Sequence, residues 1–469
     1  PRLSAWRRSM AENSALLEKV HAGTMPDSEA CTWLCGTFCH PAYDDFTVAE
    51  RDGAVWLDYG NFHAPVRVTE DEEIIACEED PVPAYMEGTL FIVGGGLSES
   101  ADEVFSALIE QAGGPQSRFA FIVTASGSGP DETYRSYRDD FVRLGVPEDH
   151  CVLIPLYAEH VRDERGYNAF TGDADGLCEL LEGVTGVWFT GGDQYFTAGC
   201  FLRKDGSDTR LLAKLREIYA NGGVIGGSSA GAAIMSEVMI GDGNNRGVLS
   251  RDVVYGYDTY DELCEIDDPC EPLIVTKGLG FFPHGVVDQH FNKRPRLLRI
   301  IEACLCNKQN TRMGYAVSED TALVYHAGTI EVLGSASVYL IDCRNAEKTG
   351  NGCYHGLKFG AIQKGDRYEL ASDTAAFAQE SAAQEREFYR DYVTDGIINS
   401  PVFDAMIDRY LLRGQKESMY RCEKKDLPYI KGAVLYEAYG ETYLVVLKYF
   451  KGDKTRGYMG KHASFADVE

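Results

Sequence analysis

The sequence has no uninterrupted apolar run near the ~18 residues that a membrane-spanning helix needs, so no transmembrane helix is expected. It is short of positive charge: 45 Lys and Arg stand against 73 Asp and Glu, a net charge of -28. That deficit argues against non-specific binding to nucleic acid or to an anionic membrane. Any anionic substrate therefore needs a locally basic pocket. The opening stretch PRLSAWRRSM lacks the apolar segment of a secretory leader, which predicts a cytoplasmic protein with Met10 as a candidate start. There is no internal repeat and no low-complexity tract. The 14 cysteines are scattered and lack the spacing of a disulfide framework or of paired zinc ligands. Cys31, Cys35 and Cys39, followed by His40, recur every four residues. On a helix this reads as a metal site or as a core-facing stripe of small hydrophobes.

What is present predicts a globular chain of several units. A length of 469 residues exceeds one ordinary domain, and 44% hydrophobic residues suffice for a real core. Residues 1–88 read as an appended α+β unit. It has a helix near 10–21 and short strands such as Val66-Arg67-Val68. From Thr89 the pattern changes. Apolar runs without alternation (89–93, 119–123, 151–154, 186–189, 223–225) are separated by helix-like stretches at 101–111, 131–144, 173–182 and 207–220. This is the signature of a mostly parallel sheet with helices on both faces, an α/β fold. Such sheets place their sites at the carboxyl ends of the strands, where turns 94–96, 191–192 and 226–231 fall. Residues 242–277 are polar, acidic and tyrosine-rich and read as an insertion in a domain spanning 89–342. Residues 343–469 read as a second α+β extension, with helices at 371–391 and 400–412 and strands near its end.

The stretch Gly227-Ser228-Ser229-Ala230-Gly231 fits the pattern G-x-S-x-G. One reading is a glycine-rich strand-to-helix turn and nothing more. The other is a nucleophile elbow, in which small neighbours permit a strained backbone that lifts the central hydroxyl out of the sheet. The elbow makes Ser229 the nucleophile rather than Ser228, and the Ala230 N–H an oxyanion donor. A serine needs a base. His290 ends the run Val286-Val-Asp-Gln-His, and Arg294, Arg296 and Arg299 follow. The cluster reads as a base beside carboxylate-binding guanidiniums, or as the solvated start of a basic helix.

Together, Thr190-Gly-Gly-Asp-Gln194, Gly227-Ser-Ser-Ala-Gly-Ala-Ala233, Gly278-Leu-Gly-Phe-Phe282 and Asp288-Gln-His-Phe291 with its three arginines resemble the cyanophycinase family of serine peptidases. That family is related to the α-aspartyl dipeptidases. The resemblance spans about 89–342 and implies a class I glutamine-amidotransferase-like, flavodoxin-like α/β fold. It implies an exopeptidase that cleaves cyanophycin, a poly-aspartate bearing arginine side chains, into β-Asp-Arg dipeptides, or that acts on related isoaspartyl peptides. It implies Ser229 as nucleophile and His290 as base. Gln194, Asp288, Gln289, Arg294, Arg296 and Arg299 become the substrate pocket, and Gly191 or Gly192 a second oxyanion donor. No cofactor or metal is implied. Two departures stand out. Ser228 replaces the family's usual Thr. The acid expected shortly after the nucleophile helix falls at Asn244, with Asp242 the nearest carboxylate; either of these, or an acid of the insertion, would be the third residue. The alternatives are an α-aspartyl dipeptidase-like enzyme, a general esterase, and a catalytically silent binding homologue. The appended units could pack on the core or on a second copy, as in a homodimer.

Overall fold

A computed structural model describes residues 88–378 with short interruptions (159–160, 162–168, 251, 257–270, 295, 308–311 and 350–352). Outside that span it describes eight strands, five within 36–76 and three within 417–448. The chain divides into two units, Pro1–Tyr85 and Met86–Glu469. The first unit is an antiparallel meander of β1 (Gly36–His40), β2 (Tyr43–Arg51), β3 (Ala54–Tyr59), β4 (Phe62–Val68) and β5 (Ile74–Ala76), each paired with the next. Val48, Val55 and Val66 form its small core. Cys39 and His40 lie on strand β1 and not on the expected helix. Cys31, Cys35 and the helix expected at 10–21 fall outside the described residues, as does the helix expected at 400–412.

In the second unit, β6 (Thr89–Val93), β7 (Arg118–Ile122), β8 (Cys151–Ile154), β9 (Val184–Phe189) and β10 (Val224–Ser228) are parallel, in the order β6-β10-β9-β7-β8. Alternate residues of each strand enter two cores. Phe91 and Val93 of β6 pack with Val104, Phe105 and Leu108 of helix α1 (Ala101–Gln111) and with Phe141 of α2 (Pro130–Arg143). Leu90 and Ile92 pack with Phe201 of α3 (Gln194–Phe201) and with Leu211, Leu212 and Leu215 of α4 (Arg210–Ala220). Both faces are therefore covered, which is why these strands read as unbroken apolar runs. Side-chain caps start two of the helices: Asp193 accepts from Tyr195 N at 2.8 Å and Thr209 from Leu212 N at 3.4 Å. The helix expected over 173–182 is a series of turns ending in a single 3-10 turn, Glu179–Leu181. Gly172, Gly176 and Gly183 bracket and interrupt it, and Gly176 sits at φ 82.

Helix α5 (Ala230–Ala233) follows β10. A three-stranded sheet then joins β11 (Val238–Asp242), β12 (Val254–Tyr255) and β13 (Ile274–Lys277), with α6 (Asn245–Ser250) between the first two. A further sheet begins with β14 (Val286–Asp288), parallel to β15 (Met313–Val317), with α7 (Leu297–Cys306) between them. The chain then returns to the first sheet. Strand β16 (Thr321–His326) pairs antiparallel with β6 and with β17 (Thr329–Gly334), and so widens the parallel sheet at that side. It crosses back again as β18 (Ser337–Asp342), antiparallel to β15. Strand β19 (Glu347–Lys348) pairs with β20 (Cys353–Gln363), which lies against β18. Strands β21 (Arg367–Glu369) and β22 (Thr374–Ala376) extend the first sheet, and β22 lies in the segment 371–391 expected to be helical. Residues from 379 to 391 lie outside the described ones. The second sheet continues from β20 through β25 (Glu441–Lys448), β24 (Ile430–Ala438) and β23 (Glu417–Arg421). Among the described residues no helix is long and apolar enough to cross a membrane.

Trp188 of β9 is fully buried, with its ring 5.1 Å from Phe105 and 5.8 Å from Tyr137. Trp188→Ala is expected to cost about 3–5 kcal/mol of unfolding free energy, read from a urea titration at unchanged m-value.

Candidate active site

Ser229 sits between the last residue of β10 and the first of α5, at φ 56 and ψ -111. A serine in this region of backbone space is strained, and the strain is held by its surroundings. Its N–H donates to Val93 O at 2.9 Å, which fixes the turn against the end of β6. The two glycines of the motif are required by contact. A Cβ on Gly227 would lie 2.3 Å from Gly231 O, and one on Gly231 would lie 2.4 Å from Phe189 O. The turn closes on itself so tightly that only hydrogens fit.

The Ser229 hydroxyl lies 2.8 Å from His290 Nε2. His290 is 9% exposed and follows β14 at φ 51, with its N–H donating to Gly94 O at 2.7 Å. Gly95 makes room for the ring, since a Cβ there would stand 2.3 Å from His290 Cε1. The other ring nitrogen, Nδ1, lies 2.6 Å from Glu319 Oε1. Glu319 occupies the crossing from β15 to β16, where the chain passes between the two sheets. Its backbone N–H donates to Asn292 Oδ1 at 2.9 Å, two residues beyond the histidine. Serine, histidine and glutamate thus form one hydrogen-bonded line. Burial holds the His290 pKa below its ordinary 6.5; Glu319 pushes it up, and Arg294 and Arg296 push it down again. The imidazole is neutral at physiological pH and available to accept a proton.

Neither residue expected to complete this line reaches the histidine. Asp242 accepts from its own neighbour, Gly243 N, at 2.7 Å, and Asn244 Oδ1 accepts from Gly247 N at 2.9 Å. Both belong to the stem of the insertion. The carboxylate on the histidine lies not shortly after Ser229 but 29 residues after His290. A readable signal existed: Glu319 opens the turn between two strand-like runs, at the end of the sheet where the other groups converge.

The remaining site residues divide into two sets. Asp288, Gln289, Arg296 and Arg299 form one buried cluster. Asp288 is 1% exposed and is gripped by Arg299, with Nε–Oδ2 at 2.8 Å and Nη2–Oδ1 at 2.5 Å. Arg299 Nη1 also donates to Gly243 O at 2.7 Å. Arg296 Nη1 donates to Gln289 O at 2.7 Å and to Gln289 Oε1 at 2.6 Å. Asn245 Oδ1 meets the first turn of α7, accepting from Leu298 N at 2.9 Å. Gln194 spends its amide N–H groups on Ile240 O and Gly241 O, bracing β11. These side chains bind one another and the base of the insertion. Arg294 stands apart. It is exposed, one helical turn beyond His290, and has no side-chain hydrogen bond or ion pair among the described residues.

At the serine itself, Gly191 lies so close that a Cβ there would stand 3.3 Å from Ser229 Cβ. Gly192, at φ 137, is pressed under Ala125 O, 2.0 Å from where its Cβ would be. The Ala230 N–H meets no backbone acceptor among the described residues. No cluster of three His, Cys, Asp or Glu side chains is placed to hold a metal ion among those residues.

The model of peptidase family S51 matches residues 90–333. A cyanophycinase of Synechococcus elongatus is 28% identical over 294 residues, 60% of this chain and 79% of that protein. A cyanophycinase of Geminocystis herdmanii is 28% identical over 296 residues, 61% of this chain and 94% of that protein. The crystal structure of a peptidase from an acI-B1 Actinobacterium overlaps 61% of this chain and 98% of its own, at 21% identity and a TM-score of 0.41.

Three outcomes are expected. Asp288→Ala leaves Arg299, 3% exposed, as an unpaired buried cation; a loss of about 3–5 kcal/mol in a urea titration is expected. The pairing also has a pH signature. Burial raises the Asp288 pKa, but Arg299 and Arg296 outweigh it and hold it below the ordinary 3.8. The pair therefore contributes its full stability above that value and loses it as pH falls through the lowered one. Separately, the rate of acylation of Ser229 is expected to keep its plateau to below pH 6.5, because His290 stays neutral there. An acid limb centred above 6.5 would contradict this.

Proposed function

The chain belongs to peptidase family S51, and on that premise we propose that it is a serine exopeptidase acting on cyanophycin or on related aspartyl and isoaspartyl peptides, with β-Asp-Arg dipeptides as the product from the polymer. The observation that carries the reading is the line from Ser229 Oγ through the imidazole to Glu319, at 2.8 Å and 2.6 Å. Ser229 Oγ attacks the scissile carbonyl carbon and its proton passes to His290 Nε2. The Ala230 N–H, at the start of α5, and Gly192 N–H receive the oxyanion. Collapse of the tetrahedral intermediate expels the amine, which takes the proton from Nε2. Water then repeats the cycle on the acyl-enzyme. Glu319 keeps the Nδ1–H tautomer and stabilises the imidazolium that forms in each half-reaction.

The strained turn at Ser229 is the nucleophile elbow in this reading. Arg294 supplies the contact to a substrate carboxylate, being the exposed guanidinium beside the histidine. Asp288, Gln289, Arg296 and Arg299 act from behind, shaping the pocket wall, with Gln194 fixing the strand that borders it. A catalytically silent homologue would have no need of a carboxylate on Nδ1, so Glu319 favours turnover.

Cyanophycin incubated with the protein is expected to release soluble dipeptide. Ser229→Ala and His290→Ala are expected to lower the rate by at least about 10³-fold, and Glu319→Gln by about 10²–10⁴-fold. No release from the polymer or from any β-aspartyl peptide by the parent protein would refute the enzyme reading. Arg294→Ala is expected to raise KM about tenfold with a smaller change in kcat, as loss of one charge-assisted contact requires; unchanged kinetics would remove Arg294 from the pocket.

A further inference from the structure

Asp320, the residue after Glu319, has a carboxylate that the reaction above does not use. It is 9% exposed and sits at φ 54. Four donors from two separate loops converge on it. Oδ1 accepts from Ser98 N at 2.8 Å and from Ser100 N at 3.0 Å. Oδ2 accepts from Ser100 Oγ at 3.0 Å and from Ser335 Oγ at 2.9 Å. Its backbone N–H donates to Gly95 O at 2.9 Å. These bonds fold the loop between β6 and α1 back over the crossing that carries Glu319.

The loop so held touches both partners of the acid–base pair. Gly94 O receives the His290 N–H, and Gly95 packs flat on the imidazole ring. Gly96 packs on the carboxylate, since a Cβ there would lie 2.8 Å from Glu319 Oε2. Three of the five non-glycine residues with positive φ among the described residues are Ser229, His290 and Asp320. Two of them bear the proposed chemistry. Strain of this kind persists only where the surroundings overdetermine it. At Asp320 the overdetermination consists of the five bonds just named.

We infer that Asp320 is a positioning residue: by pinning residues 95–100 it presses the Gly95–Gly96 backbone onto His290 and Glu319 and sets the contact between Glu319 Oε1 and His290 Nδ1. The inference rests on the serine-peptidase reading above. Without the pin, the glycine loop lifts, the glutamate gains room beside solvent, and the histidine is less well held toward Ser229. The loss falls on the chemical step, because Asp320 has no part in holding substrate.

A fluorophosphonate tests this without any assumption about the natural substrate. Ser229 Oγ forms the O–P bond, the P–F bond breaks, fluoride leaves, and the hydroxyl proton goes to His290. Asp320→Ala is expected to slow this labelling about tenfold to hundredfold, as a small misplacement of a base does. Its acid limb is expected at lower pH than in the parent, because Glu319 raises the histidine less. With a soluble β-Asp-Arg peptide, kcat falls and KM stays. Asp320→Asn keeps an Oδ1 acceptor for both N–H groups and offers Nδ2–H to both serine hydroxyls, so labelling within about threefold of the parent is expected. Parent-like labelling and an unmoved limb in Asp320→Ala overturn the inference. So does an Asn variant as slow as the Ala variant. If Asp320→Ala does not fold, the Ser100→Ala/Ser335→Ala double variant decides. Slowing is expected there; a parent-like rate overturns the inference. Ser229→Ala is run alongside. If it labels like the parent, the serine-peptidase reading itself fails, and this inference falls with it; that outcome is distinct from a failure at Asp320.

Discussion

The hydrogen bond from His290 N–H to Gly94 O, 2.7 Å long, ties the end of one sheet to the end of the other. Ser229 ends a strand of the first sheet, and His290 follows a strand of the second. Neither sheet alone contains both the serine and the histidine. The backbone contact sets how far β14 lies from β6. That distance sets whether the imidazole reaches the hydroxyl. Ser229 N–H bonds Val93 O, the residue before Gly94, so two consecutive carbonyls of one strand end register the serine and the histidine. Glycines at 94, 95 and 96 let this strand end approach so closely. A Cβ at Gly94 would stand 2.0 Å from Ser318 O.

The electrostatics follow the same division of labour. The chain is strongly acidic overall, yet the histidine lies among arginines. Two of those guanidiniums, Arg296 and Arg299, are engaged within the buried cluster around Asp288, while Arg294 and Arg296 bias His290 against protonation. The third, Arg294, is exposed and has no side-chain hydrogen bond or ion pair among the described residues. Side chains of identical chemistry are therefore divided by burial into an engaged pair and an exposed one. The cluster also reaches Gly243 O, so the base of the insertion is tied to the strand that ends in the histidine.

Much of this was legible in the residues. The apolar runs of β6 to β10 lack alternation because both faces are buried, and that is a one-dimensional signal. The small residues around Ser229 record a turn that closes on itself, which is local as well. The pairing of Ser229 with His290 is one the residues allow and the family resemblance implies. Glu319 did not follow, because its place depends on the chain crossing from one sheet to the other and back. No spacing rule encodes that crossing. The roles of Arg296 and Arg299 were equally hidden. A run of arginines beside a histidine looks like a binding pocket until the distances show that Asp288 and Gln289 have already engaged two of them. The turns at 173–182 carry helical apolar spacing but also glycines that break it, and the glycines prevail.

The way the second sheet is laid down has a consequence for what can be cut away. The segment matched by the family model ends at residue 333, one residue short of the end of β17. Strand β15 delivers the chain to Glu319, and its antiparallel neighbour is β18, which is in turn covered by β20. Both neighbours lie beyond the matched segment. A fragment trimmed to the matched segment would leave β15 with a bare row of N–H and C=O groups on that side, a template on which other chains can polymerise. Residues beyond the matched segment therefore sheath the strand that leads to Glu319.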